Sequence, residues 1–166
     1  MFLQKIIAGD LQVNCYILAE EKGGKGLIID PGGEARMILD VVEKNQVEIL
    51  YVIATHAHID HIADIELIRS STGANFLLHP LDVPFLKDPQ LNLSSFTQAP
   101  RSFPPPQRLV HDGERLRVGS INLEILHTPG HTPGSISLRI NGGIFTGDAL
   151  FAGGVGRVDL PGGDLL

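Results

Sequence analysis

The chain has 166 residues, 43% of them hydrophobic and only 5% aromatic, enough for one domain with an aliphatic core. Its net charge of -6 and the lack of any Lys/Arg run argue against a nucleic-acid partner. The single cysteine, Cys15, excludes an intrachain disulfide, no apolar run reaches the length of a membrane span, and Met1 to Lys5 lead straight into strand-like sequence rather than a signal peptide, so a cytoplasmic chain is expected.

Residues 2–8 and 12–19 read as two strands of a meander, with Cys15 as a small buried hydrophobe. Residues 21–26 form a turn by their glycine density. Leu27-Ile28-Ile29 is a short buried strand ending at Asp30, and Pro31-Gly32-Gly33 breaks the sheet. Asp30 lies at the carboxyl end of that strand, where capping the next turn is its ordinary role. Residues 34–45 form a helix with Met37, Ile38, Val41 and Val42 as its apolar stripe and Glu34 in its first turn. Val47 to Ala54 is the next buried strand.

Four side chains that can bind a metal follow within six residues: His56, His58, Asp60 and His61. Two residues apart in an extended turn, His56 and His58 point to the same side. Asp60 and His61 fall where the chain curls into a helix and point elsewhere. One turn can thus offer ligands to two neighbouring ions. A lone histidine here would read as surface or hydrogen-bonded core. Four ligands together read as a metal site, and imidazole with carboxylate but no thiolate suits Zn, Fe or Mn.

Residues 61–72 continue as a helix, with Ile62, Ile65 and Ile68 on one face and Gly73 as its stop. Phe76-Leu77-Leu78 is a strand, and His79 reads as surface or packing. Residues 88–107 have no periodicity. Such a segment is either a floppy insertion or functional, here a wall of the substrate pocket with Leu91, Leu93, Phe96 and Phe103 as apolar contacts. Leu109 to Val118 looks like a hairpin around His111-Asp112-Gly113-Glu114. Ile121, Leu123 and Ile125 alternate with Asn122 and Glu124 as a half-buried strand. In Thr128 to Ser135, two prolines and two glycines flank His131, a rigid turn that aims one side chain. Ile136 to Ile140 and Ile144 to Thr146 are strands joined by Asn141-Gly142-Gly143. Gly147-Asp148 then places a further carboxylate at a strand end.

The run His56-Ala57-His58-Ile59-Asp60-His61 resembles the H-x-H-x-D-H signature of the metallo-β-lactamase-fold hydrolases. Asn14-Cys15-Tyr16, Ile29-Asp30-Pro31-Gly32, Asn92-Leu93-Ser94, Thr128 to Ser135, Gly147 to Phe151 and Gly156 to Asp159 extend the resemblance over nearly the whole chain. Together they are most similar to the short glyoxalase II-like (hydroxyacylglutathione hydrolase) branch. The resemblance implies an α/β fold, the metallo-β-lactamase αββα sandwich, as a single domain over residues 1–166 truncated at the C-terminus. The family carries one more ligand histidine after His131, with a last strand and covering helices. Here Gly162 to Leu166 reads as the start of a helix capped by Asp164. His79 or His127 could substitute for that ligand, with packing as the alternative.

The same resemblance gives His56, His58 and His131 to a first metal. It gives Asp60 and His61, which also stand at the catalytic centre, to a second, with Asp148 bridging. Two Zn(2+) ions are implied in the intact family site, with Fe or Mn as alternatives. Asp30 is implied to support the site from behind, and Arg157 and Asp159 to shape it. The implied reaction is hydrolysis of a small-molecule thioester by metal-activated hydroxide. Two readings stay beside it: a mononuclear iron enzyme resembling the persulfide dioxygenases, on His56, His131 and Asp148, and a metal-binding fragment without catalysis. Neither nucleic acid nor membrane is expected as a partner, and a homodimer is left open.

Overall fold

The alternation of side chains along each strand decides the layering. A computed structural model describes residues 1–164. One sheet holds six strands in chain order: β1 (Phe2–Ala8), β2 (Val13–Ala19), β3 (Lys25–Ile29), β4 (Glu48–Ile53), β5 (Asn75–Leu78) and β6 (Arg108–Leu109). The first three are antiparallel and the rest run parallel. Parallel neighbours need crossovers. They are supplied by α1 (Ala35–Lys44) after β3, by α2 (Ile59–Ile62) and α3 (Ile65–Thr72) after β4, and by the long segment with 3-10 turns at Pro80–Lys87 and Ser94–Phe96 after β5.

Cys15 and Ile17 of β2, Ile28 of β3, Val52 of β4 and Phe76 of β5 face the helices, where Ile38, Ile62, Ile65 and Ile68 meet them. Leu18, Leu27, Ile29, Ile53 and Leu77 face the other way. There they pack on an antiparallel sheet of β7 (Arg115–Val118), β8 (Ile121–His127), β9 (Ile136–Ile140) and β10 (Gly143–Phe145), through Leu123, Ile125 and Leu138. Each fully buried isoleucine or leucine contributes about 1.5–3 kcal/mol. A small hairpin, β11 (Leu150–Phe151) and β12 (Gly154–Val155), follows. The described residues thus build helices, sheet and sheet in successive layers. Among them no helix is long and apolar enough to cross a membrane.

Three local expectations change. The helix expected over 61–72 is two helices, α2 and α3, divided at Ala63-Asp64. Asp64 leaves the helical hydrogen-bond pattern because its Oδ2 accepts from Ala35 N at 2.8 Å and its N donates to Pro31 O. Glu34 does not open the first turn of α1; it sits before it with φ 61°, and the Asp64 carboxylate takes the helix-starting N–H instead. The hairpin expected over 109–118 does not form. Leu109 pairs with Leu78 in the six-stranded sheet, whereas Leu116 pairs with Leu123 in the other. The apolar residues on each arm find different sheets, so the turn at His111–Glu114 links the two layers. The helix start expected at Gly162 to Leu166 reaches residues outside those described.

Candidate metal centre

Buried strands leave their last residues at one end of the molecule. Asp30 follows β3, Thr55 to His58 follow β4, His131 lies between β8 and β9, and Asp148 follows β10. Asp30 turns there with φ 52°, a left-handed conformation that Asp tolerates better than most residues. The turn aims its carboxylate at the histidine run. Oδ1 accepts from Thr55 N at 2.7 Å and Oδ2 from Thr55 Oγ1 at 2.8 Å. Oδ2 also lies 3.0 Å from His61 Nδ1.

One ligand atom from each of His56, His58 and His131 lies within 4.8 Å of the others. His58 Nδ1 is 2.9 Å from His131 Nε2, and the His56 ring meets both neighbours edge-on. Two imidazole nitrogens on one tetrahedral zinc would stand about 3.3 Å apart, given Zn–N bonds of about 2.0–2.1 Å. A second group joins His56, His61 and Asp148 within the same 4.8 Å. The carboxylate of Asp148 spans the two groups. Its Oδ1 is 3.2 Å from His61 Nε2 and its Oδ2 is 3.7 Å from His131 Nε2. Asp60 stands at the edge of the second group, with Oδ2 3.7 Å from His61 Nε2.

The chemistry of these donors fits divalent metal ions. The Nε2 atom of His56 is buried without a hydrogen-bond partner, which a native structure rarely leaves unexplained. The donors are all imidazole or carboxylate, a set for Zn, Fe or Mn. Cys15 is no part of it; it is buried between sheet and helices, and burial, then the charges of Asp30 and Asp64, push its thiol pKa up. His131 Nδ1 is 2.7 Å from the Arg157 carbonyl oxygen. A carbonyl only accepts, so Nδ1 carries the proton and Nε2 keeps its lone pair for the site.

Charge reinforces the arrangement. Burial, and then the neighbouring histidines, hold His56 well below its ordinary pKa and His58 at about 3, so both are neutral at pH 7, the form that can ligate a metal. His61 behaves oppositely. Burial opposes its cation, but Asp30, Asp148 and Asp60 outweigh it and raise the pKa well above the ordinary value. Three carboxylates around one point make a place where positive charge is favoured. Close backbone contacts complete the site. A Cβ on Gly32 would stand 1.4 Å from Asp60 O, and one on Gly156 1.8 Å from Asp148 O and 3.3 Å from His131 Nδ1.

Other expected site residues lie elsewhere. The side chains of Arg157 and Asp159 pair with each other at 2.9 Å and are 68% exposed, so they form a surface ion pair. Only the Arg157 backbone reaches the site. Phe103 is a core residue and Leu91 packs against the same core, while Phe96 is 77% exposed. None of Leu91, Leu93, Phe96 and Phe103 lines either cavity that opens on the histidines. Their segment is a brace instead: Asn92 O accepts from Ile59 N at 2.8 Å, and Arg101 donates to Ala63 O at the end of α2. His79 and His127 stack on each other at 4.3 Å, outside both groups. Spacing singled out neither Thr55 nor Asp82, the buried carboxylate between the two candidate ligand loops.

Two cavities flank the cluster. One of about 420 Å3 is lined by Asn14, Tyr16, Asp60, His61 and Asp148. The other, of about 710 Å3, is lined by Leu81, Pro129, His131, Pro133, Ile144 and Val158. Both are of a size that takes small molecules.

Residues 8–166 match the family model of the metallo-beta-lactamase superfamily. The chain is 33% identical over 164 residues to a hydroxyacylglutathione hydrolase, GloC, from Haemophilus influenzae, covering 92% of this chain and 74% of the relative. It superposes with TM-score 0.91 on the BLEG-1 B3 metallo-beta-lactamase (35% identical, 98% of this chain, 79% of that one). The match to TTHA1623 in a di-iron-bound form has TM-score 0.84 (35% identical, 97% and 79%). This chain belongs to the metallo-β-lactamase superfamily and has its fold. It is thereby placed among the metallo-hydrolases.

Proposed function

We propose that the protein hydrolyses small-molecule thioesters, and that two divalent ions, zinc in the first instance and iron or manganese as alternatives, sit in its two donor groups. The observation that carries this reading is Asp148, whose two carboxylate oxygens face His61 and His131. An anion between two donor groups offsets the repulsion of two neighbouring cations. His56, His58 and His131 would hold one ion; His61 and Asp148, with Asp60 beside them, the other. Such ions supply hydroxide at neutral pH and polarise a carbonyl oxygen. The chain contributes orientation. Arg157 O keeps His131 in one tautomer, Asp30 holds His61, and Asp60 and His61 place the reacting centre in the 420 Å3 cavity.

A thiolate leaves without a proton, since free thiols ionise at about pH 8.5. No general acid is needed at the leaving group. The likeness to GloC supports a hydroxyacyl thioester of glutathione as the first substrate to test. The cytoplasm, where glutathione keeps thiols reduced, is the compartment this reading implies. The test is zinc-loaded protein with that thioester, following released thiol and measuring bound metal. Thiol release that a chelator abolishes is expected. A protein carrying two ions that releases no thiol would overturn the reading.

A second reading is an iron oxygenase acting on a persulfide, with His56, His131 and Asp148 as a two-histidine, one-carboxylate set; Asp148 Oδ2, 3.7 Å from His131 Nε2, favours it. His58 Nδ1, 2.9 Å from His131 Nε2, adds a third imidazole and favours the hydrolase. Oxygen uptake by iron-loaded protein with a persulfide separates the two.

A further inference from the structure

Asp82 is wholly buried, 25 residues beyond the histidine turn, in the 3-10 turns of Pro80–Lys87. Its side chain touches no candidate ligand by hydrogen bond, yet it joins the two segments that carry them. Oδ2 accepts from Ala57 N at 2.9 Å, between His56 and His58. The same oxygen accepts from Thr132 Oγ1 at 2.9 Å, next to His131. Oδ1 accepts from Gly134 N at 2.7 Å. All three partners are donors, so only a group that accepts on both oxygens satisfies them, as an ionised carboxylate does. The space is shaped for it as well. A Cβ on Gly134 would stand 2.5 Å from Asp82 Oδ1.

We propose that Asp82 is a positioning residue that sets the separation of the His56–His58 turn and the His131 loop, and thereby the affinity of the first donor group for its ion. The inference rests on the reading of His56, His58 and His131 as metal ligands. His58 and His131 come from segments far apart in sequence, and no side-chain hydrogen bond other than their own contact ties one ring to the other's loop. The backbone bond from Ile136 N to Thr55 O at 2.9 Å joins the same two segments further from the rings. Asp82 bonds within one residue of each ring-bearing position. Its negative charge adds to the field that favours a cation there.

Asp82→Asn keeps the shape and reverses the polarity of one end. Its NH2 group must face either Gly134 N–H or Ala57 N–H together with the Thr132 hydroxyl. Partners one shell behind metal ligands are worth about 10–100-fold in affinity. Zinc titration of the metal-stripped protein is expected to show one of two sites weakened by about that factor, with the other unchanged. The cobalt(II)-loaded variant should show an altered visible spectrum, which a loss of stability alone would not produce. Thr132→Val removes one of the three hydrogen bonds and should weaken the same site less. If Asp82→Asn does not fold, Thr132→Val decides: a weakened site supports the proposal and an unchanged one overturns it. A folded Asp82→Asn protein with wild-type zinc affinity and cobalt spectrum overturns it too. A wild-type chain that binds none of zinc, iron(II) and manganese(II) overturns the metal reading itself, and the proposal with it.

Discussion

His131 donates its Nδ1 proton to the carbonyl oxygen of Arg157 across 2.7 Å, while the guanidinium of Arg157 turns away to Asp159. The residue therefore acts on the site through its backbone. Arg157→Ala keeps the carbonyl and should leave zinc affinity and turnover within about twofold of wild type, since an exposed ion pair is worth only about 0–1 kcal/mol. A tenfold loss of either in a titration or an initial-rate assay would show that the side chain matters.

Asp30 is the contrasting case, because its carboxylate itself makes the contacts. Asparagine tolerates the same left-handed backbone. Asp30→Asn should fold, at a cost of about 1–3 kcal/mol for the disturbed buried bonds to Thr55. Its amide no longer holds a proton on His61 Nδ1, so Nε2 loses its assigned role. Affinity for the second ion should fall about 10–100-fold. Zinc titration with a denaturant melt reads both effects, and two unchanged sites would contradict this account of His61.

Phe96 and Phe103 lie on one irregular segment but should differ sharply. Phe103→Ala empties a buried core position and should cost about 3–5 kcal/mol. Phe96→Ala, at a position 77% exposed, should change stability by no more than about 0.5 kcal/mol and leave thioester KM unchanged. A raised KM in Phe96→Ala would restore this segment as a pocket wall.

The stacked pair His79 and His127 predicts a pH dependence of stability away from the donor groups. Burial, then His127 and His111, push the His79 pKa down from 6.5 to about 4, against the pull of Asp112. The unfolded chain therefore takes up this proton first. Its contribution to stability is intact above pH 6.5 and is lost progressively as pH falls from there toward 4. His79→Asn keeps an acceptor for Leu81 N. Denaturant midpoints of this variant, measured from pH 7 down to pH 4, should fall less steeply than those of wild type. Parallel curves would show that His79 does not titrate in this window.

Periodicity made β2, β3, α1 and the strand before the histidines readable, because burial on one side of a strand or helix imposes a local spacing. The clustering of His56, His58, Asp60 and His61 was readable for the same reason: six consecutive residues cannot be far apart. The two prolines and two glycines around His131 marked a turn held rigid to aim one side chain. The break between α2 and α3 was not readable, since it depends on Asp64 reaching Ala35, 29 residues away. Nor was the parting of Leu109 and Leu116 into different sheets, since alternation tells that a side chain is buried but not against which layer.

What the amino-acid sequence determined by itself was chemistry that neighbours along the chain can express: a donor-rich turn at the end of a buried strand, a second aimed histidine, and a carboxylate at a later strand end. The tertiary structure alone decided which of these meet. It set Asp148 between His61 and His131, turned Arg157 inward by its carbonyl and outward by its side chain, made the 88–107 segment a brace, and put Asp82 between the two ligand loops. Those outcomes rest on approaches between segments distant in sequence. Packing of the whole core fixes such approaches, and no local spacing encodes them.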